Sequence, residues 1–133
     1  MQSYVRMRNI QIRRECMSEI SGISQVVEQH NGRVLVLYLK GRLDSITSMA
    51  VEKKIFEYIH KGNQNILLNF AEVNYLSSTG LRMLISTTKK LSSLAGHIVL
   101  CSLVPSVLYV LEISGVDKRI DISSTEDEGL HKF

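Results

Sequence analysis

The chain has few of the residues that mark several common functional classes. Its 133 residues include no tryptophan, one proline and two cysteines, and aromatic residues make up 6%. So few rings disfavour nucleic-acid binding by base stacking. Cys16 and Cys101 lie far apart and fit neither a disulfide framework nor a zinc spacing. No apolar run approaches the length of a membrane span, and no signal-peptide segment follows the basic start. We therefore expect a cytoplasmic protein with free thiols and no membrane contact.

Positive charge is concentrated at the N-terminus. The formal net charge is +3, and residues 1–16 carry all of it through Arg6, Arg8, Arg13 and Arg14 against Glu15. The remaining residues are neutral overall, so the body of the chain shows no electrostatic footprint for nucleic acid. We expect residues 1–20 to form a flexible basic arm and residues 21–133 to form one domain. Binding of that arm to nucleic acid or to a membrane is the alternative interpretation.

Strand and helix patterns alternate along the rest of the chain. A nearly unbroken apolar run at residues 34–39 predicts a strand buried on both faces, and residues 66–70 predict the next buried strand. A looser alternation at residues 23–28 and a turn at residues 30–32 predict a hairpin before them. Alternation of strands and helices beyond the hairpin implies parallel strands with right-handed crossovers. The predicted order is β-β-α-β-α-β-α-β-α, an α/β domain with a small mixed sheet.

Local signals predict where the helices begin and end. Thr47 is the expected N-cap of a helix that reaches about Lys61 and ends at Gly62. A second helix is expected from Ser78. A third has Pro105 in its first turn, and Gly115 ends it. The predicted inward faces are Val51, Ile55 and Ile59 in the first helix, and Leu81, Leu84, Ile85, Thr88 and Leu91 in the second.

Three hydroxyl residues lie at the expected start of the second helix. Ser77, Ser78 and Thr79 follow a buried strand and precede Gly80 and Leu81. A helix N-terminus exposes unpaired N–H groups and a partial positive charge, so a phosphate there would be stabilised. Gly80 is expected to keep this end uncrowded for another protein's backbone. Hydroxyl residues also occur at N-caps for purely structural reasons, and the residue types alone do not separate the two interpretations.

Four short motifs in register resemble those of one protein family. The segment from Tyr75 to Leu84 is similar to the S-S-[AST]-G-L signature of STAS-domain anti-sigma factor antagonists. Gly41-Arg42-Leu43-Asp44 is similar to the family's G-[ER]-L-D turn. Pro105-Ser106-Val107 and Ile113-Ser114-Gly115-Val116 are similar to its P-x-V and S-G-[LV] marks. The resemblance covers about residues 22–130 and implies the STAS fold, with helices packed mainly on one face of the sheet.

The resemblance also implies a function and its residues. It makes Ser78 the site of phosphorylation, with Ser77 and Thr79 as competing acceptors. The implied partners are an anti-sigma factor that is also a serine kinase, which would hold the ATP and magnesium, and a PP2C-type phosphatase. No cofactor is implied on this chain, and we expect a monomer when it is free. Many family members have aspartate where this chain has Ser77. The missing negative charge is expected to alter kinase preference. The expected partner-binding residues are Asp44, Ser77, Ser78, Thr79, Gly80 and Leu81, with Leu81 and Met83 as apolar contact area.

Two other functional classes fit the sequence less well. An enzyme is disfavoured because the chain has no G-x-S-x-G elbow, no glycine-rich phosphate loop and no histidine at a recognisable triad or metal spacing. The stronger rival is a STAS protein without a phosphorylation switch, serving as a binding subunit of a lipid-transport ATPase or another complex. Fold alone does not separate that rival from the antagonist. Asp44 and the Ser78 motif favour the antagonist, and the alternative role of Asp44 is that of a local cap or turn carboxylate.

Overall fold

The computed structural model describes the backbone of Ile23–Glu28 and the whole of residues 34–133. The predicted basic arm and the turn at residues 30–32 lie outside the described residues. Within them, the order of elements is the predicted one, with a single turn of 3₁₀ helix added at Val116–Lys118. The strands are β1 (Ile23–Glu28), β2 (Leu35–Leu43), β3 (Asn65–Leu76), β4 (His97–Cys101) and β5 (Asp121–Ser123). The helices are α1 (Ser45–His60), α2 (Ser78–Ser93), α3 (Pro105–Ser114) and α4 (Glu126–Leu130).

The five strands form one mixed sheet in sequence order. Strand β1 pairs with β2 antiparallel, as expected for a hairpin, and each later neighbour is parallel. Parallel neighbours need a crossover, which α1, α2 and α3 supply. The predicted α/β class and mixed sheet are confirmed.

The apolar runs predicted as buried strands bury both of their faces. One face of the sheet packs against α1, α2 and α3 and forms the main core, which includes Leu37, Leu68 and Leu100. Residues of the opposite pleat, among them Val36, Leu67 and Val99, form a smaller core with Leu130 of α4. Helices therefore lie mainly on one face, as predicted, and the short α4 covers part of the other.

Two details of the helices differ from the sequence prediction. The N-cap of α1 is Asp44, and Thr47 lies three residues further on, where its side chain completes a capping box. In α2, the buried residues include Met83 and Thr87, whereas Ile85 and Thr88 are only half-buried. The predicted inward face of α2 is therefore rotated around the helix axis relative to the observed buried face. The cause is tertiary, because α2 packs against α1 as well as against the sheet.

The parallel register brings two distant turns together. Leu43, the last residue of β2, is paired with Leu76, the last residue of β3. Both strands run in the same direction, so the residues that follow them emerge at the same edge of the sheet. These are Asp44, which begins α1, and Ser77, which begins α2.

Candidate functional site

The N-termini of α1 and α2 are joined by hydrogen bonds to one carbonyl group. The carbonyl oxygen of Leu43 accepts from the Ser77 amide at 2.9 Å and from the Ser77 hydroxyl at 2.8 Å. The Asp44 turn and the start of α2 therefore lie side by side at the same edge of the sheet. We call the surface formed by Asp44, Ile46, Met49, Ser78 and Thr79 the helix-end surface.

Asp44 has a structural role of its own. Its carboxylate accepts from the backbone amides of Ile46 at 3.0 Å and Thr47 at 2.9 Å, and its own amide donates to the Thr47 hydroxyl at 2.9 Å. The hydrogen bonds from Thr47 lower the pKa of Asp44, with smaller contributions from the Ile46 amide and the charge of Arg42. Asp44 is therefore ionised at neutral pH, and the helix-end surface carries one fixed negative charge.

The two neighbouring serines differ in how their hydroxyls are used. Ser77 is the N-cap of α2: its hydroxyl accepts from the Gly80 amide at 3.1 Å while donating to Leu43. Ser78 is the first residue of the helix and is exposed. In residues 34–133, no hydrogen bond engages its side chain. A hydroxyl with both donor and acceptor engaged is a poorer phosphate acceptor than a free one, so the geometry favours Ser78 over Ser77.

The remaining predicted site residues differ in accessibility. Thr79 and Leu81 are half-buried, and Leu81 packs against the main core. Met83, expected to add apolar contact area, is 2% exposed and belongs to the core, so that expectation is wrong. Its burial follows from the position of α2 against both α1 and the sheet.

The role expected of Gly80 is also corrected. Gly80 is buried, and a Cβ there would lie 2.5 Å from Cδ1 of Leu76, 3.2 Å from Oγ of Ser48 and 3.3 Å from the Leu43 carbonyl oxygen. The space that glycine leaves is therefore filled by the protein's own interior. Gly80 lets the first turn of α2 pack closely against the ends of β2 and β3.

Two exposed apolar residues beside Asp44 are not among the site residues predicted from the sequence. Ile46 is 79% exposed and Met49 is 65% exposed. They lie three residues apart on α1, on the side opposite the buried stripe of Val51, Ile55 and Ile59. Two large apolar residues outside the inward stripe of a helix are a signal that the sequence already contains.

A groove between α1 and α2 adjoins this surface. Its volume is about 550 Å³, and it is lined by Ser48, Met49, Glu52, Thr79, Arg82, Met83, Ile85, Ser86 and Lys89. Ser48 is fully buried, and its hydroxyl has no hydrogen-bond partner in the described part of the chain. An unpaired buried hydroxyl carries a free-energy cost of about 1–3 kcal/mol.

The described residues offer little catalytic machinery. Residues 23–28 and 34–133 contain no group of three or more histidine, cysteine or acidic residues that could hold a metal ion. His97 pairs with Asp121 at 2.6 Å, and His131 contacts the Asp127 carbonyl, so neither serves as a base for a serine of the helix-end surface. Among the helices described here, none is long and apolar enough to cross a membrane.

Comparison with known proteins agrees with this geometry. The STAS domain family matches residues 25–129. BtrV of Bordetella bronchiseptica is 34% identical over 100 residues, which cover 75% of this chain and 86% of BtrV. The anti-sigma F factor antagonist of Paenibacillus polymyxa is 28% identical over 107 residues, covering 80% of this chain and 92% of the relative.

Solved structures show the same fold. The anti-sigma factor antagonist SpoIIAA in its unphosphorylated form matches with a TM-score of 0.69 at 26% identity, covering 81% of this chain and 93% of SpoIIAA. The Bacillus SpoIIAA in its phosphorylated form matches with a TM-score of 0.62 at 25% identity, covering 81% of this chain and 96% of SpoIIAA. Sequence motifs, sheet topology and these similarities agree, and the chain belongs to the STAS domain family.

Proposed function

We propose that this chain is an anti-sigma factor antagonist controlled by phosphorylation of Ser78. In its unphosphorylated form it binds an anti-sigma factor that is also a serine kinase, and the sigma factor is released. The antagonist role is supported by relatives that are named anti-sigma factor antagonists and that this chain matches over most of their length. Control by phosphorylation is supported by SpoIIAA, which is solved in both unphosphorylated and phosphorylated forms. The process takes place in the cytoplasm, where sigma factors act.

The observation that carries the proposal is the state of Ser78. It is exposed at the first position of α2, while the hydroxyl of the adjacent Ser77 is engaged on both sides. Thr79 is half-buried in the wall of the groove. Of the three candidate acceptors, Ser78 is therefore the one that a kinase reaches most easily without unfolding the start of the helix.

The position also suits a reversible phosphate. The first turn of α2 contains no acidic residue, so the partial positive charge of the helix end is not already compensated there. A phosphate adds close to two negative charges at neutral pH and gains from that helix end. The same charge at the middle of a protein contact formed with the neutral hydroxyl disfavours the complex, because the phosphate would lose its hydration there.

The other components follow from this assignment. The kinase supplies ATP and magnesium, and a PP2C-type phosphatase removes the phosphate and restores the binding form. Asp44, ionised and adjacent to the α2 terminus, contributes charge to the contact, and Ile46 contributes apolar area. Ser77 shapes the surface by holding the first turn of α2.

Phosphosite mapping tests the proposal. The protein is incubated with ATP and each serine kinase of this type encoded in the source genome, as wild type, Ser78→Ala and Ser77→Ala. We expect near-stoichiometric phosphate on wild type and on Ser77→Ala, and none on Ser78→Ala. Phosphate that persists in Ser78→Ala contradicts the assignment of the site. Absence of phosphate with every kinase contradicts the switch and points to the plain binding subunit of a lipid-transport ATPase or another complex.

A further inference from the structure

We propose that the groove between α1 and α2 is a docking site for an acidic segment of the anti-sigma partner. Arg82 and Lys89 pair with its carboxylates, and Met49 and Ile85 contact an apolar side chain of the same segment. The inference rests on the proposed function, since it names the chemistry of the partner and a second region of contact beyond the Ser78 switch.

The shape and lining of the groove fit a polypeptide segment with mixed character. Methionine and isoleucine side chains supply apolar walls, and Thr79 and Ser86 supply hydroxyls. The unpaired hydroxyl of the fully buried Ser48 lies at this groove.

The charges of the groove favour an acidic occupant. Helix α2 contains no acidic residue along its whole length, and Glu52 is the one acidic side chain that lines the groove. Neither Arg82 nor Lys89 forms an ion pair within residues 34–133. The two cations are seven residues apart, so they lie on the same side of α2 about 10 Å apart along its axis. That spacing matches two carboxylates of an extended or helical segment.

The groove is continuous with the proposed switch. Thr79, directly after Ser78, lines it. Arg82 lies four residues after Ser78, and side chains at that spacing are neighbours on a helix. A phosphate on Ser78 therefore competes with the partner's carboxylate for Arg82. Phosphorylation would then weaken binding in two ways, by adding negative charge and by removing a cation from the groove.

Another exposed apolar pair on the molecule lacks these properties. Tyr109 and Ile113 of α3 are 61% and 65% exposed, but α3 contains no basic residue. The α3 pair therefore lacks charge complementarity to an acidic segment. Ile113 of this pair provides a control with the same exposure as Met49.

The first arm of the test removes the charges. Affinity for the cognate kinase is measured with wild type, Arg82→Gln, Lys89→Gln, the double variant, and Lys132→Gln as the control. Lys132 is an exposed cation that follows α4, on the opposite side of the sheet. We expect each groove substitution to weaken binding roughly 2- to 5-fold, and the double variant to be less sensitive to salt than wild type. Lys132→Gln should bind as wild type does.

The second arm alters the apolar wall. Met49→Glu places a negative charge beside the groove, and Ile113→Glu makes the same change at a residue with the same 65% exposure. We expect Met49→Glu to weaken binding on the order of 10-fold or more and Ile113→Glu to leave it unchanged. Circular dichroism and thermal unfolding of every variant confirm that the fold is intact.

The outcomes separate the two proposals. If the kinase binds and phosphorylates wild type at Ser78, but the double variant and Met49→Glu bind as tightly as wild type, the docking inference is overturned and the switch stands. If no kinase of the source genome binds or phosphorylates wild type, the proposed function fails and the inference fails with it. Selective loss in the groove variants establishes the groove as the docking site.

Discussion

Asp44 illustrates how one residue combines a local and a functional role. From the sequence, Asp44 is expected in the partner-binding surface, with a local cap or turn carboxylate as the alternative. The structure shows the local role directly, since the carboxylate caps α1 through Ile46 and Thr47. The contact with a partner remains a prediction. Thr47 was the expected cap because threonine is a common N-cap, and only the backbone geometry shows that the helix begins three residues earlier.

Substitution of Asp44 separates the two roles. Asparagine caps helices about as well as aspartate, whereas alanine does not. We expect Asp44→Asn to unfold in urea near the wild-type midpoint at pH 7 and Asp44→Ala to unfold at a lower urea concentration. The result that contradicts the capping role is an asparagine variant as unstable as the alanine variant. If Asp44 also contacts the partner through its charge, Asp44→Asn weakens binding while leaving stability intact.

The stability that Asp44 contributes is expected to fall in acid. Because the pKa of Asp44 is lowered in the folded protein, its carboxylate contributes stability that is fully present above its unfolded pKa, near 4. That contribution is lost as the pH falls through the lowered folded-state value. Asp44→Asn does not titrate, so wild type should lose stability relative to it when urea unfolding is repeated at pH 3.

Helix α2 shows what local sequence signals determine and what they do not. Its start was predicted correctly because hydroxyl residues, a glycine and the end of an apolar run are all local features. Its buried face was not, because the observed face, which includes Met83 and Thr87, is rotated around the helix axis from the predicted one. The helix packs against α1 as well as against the sheet, and the pattern of a single helix does not show where a second helix will lie.

Gly80→Ala tests the packing of the α2 terminus. Within a helix, replacement of glycine by alanine normally stabilises by about 1 kcal/mol. Here the added methyl group meets Leu76, Ser48 and the Leu43 carbonyl group, so we expect the variant to be destabilised by about 1–3 kcal/mol in urea unfolding. Ser86→Ala, at a half-buried position of the same helix, is the control and should change stability by no more than about 0.5 kcal/mol. A stabilised Gly80→Ala would show that the first turn of α2 is not closely packed.

At the scale of the whole molecule, the order of elements was predictable and the packing of the second sheet face was not. Continuous apolar strands indicate burial on both faces without showing what covers each. The structure places α4 on the second face, where the Tyr38 hydroxyl donates to Glu126 at 2.8 Å and the Asn69 amide donates to it at 3.1 Å. Burial and the adjacent Glu126 raise the pKa of Tyr38, which keeps the hydroxyl protonated as a donor.

The candidate site depends on the same long-range order. Asp44 and Ser77 are far apart in sequence and meet because Leu43 and Leu76 end neighbouring parallel strands in register. Residue types alone do not decide whether the serines cap the helix or accept a phosphate, and the family resemblance indicates Ser78 as the phosphate acceptor. The structure adds the distinction between an engaged Ser77 and an exposed Ser78, which no local pattern contains.

The central claim is that a phosphate on Ser78 prevents binding to the anti-sigma factor. The most direct measurement compares the affinity of the cognate anti-sigma kinase for the unmodified protein and for protein with phosphoserine incorporated at position 78 during translation. We predict a loss on the order of 30-fold or more, about 2 kcal/mol, since the phosphate adds charge at the contact and pairs with Arg82. Ser78→Ala, which removes the acceptor without adding charge, should bind nearly as tightly as wild type. Equal affinity of the modified and unmodified proteins would contradict the account.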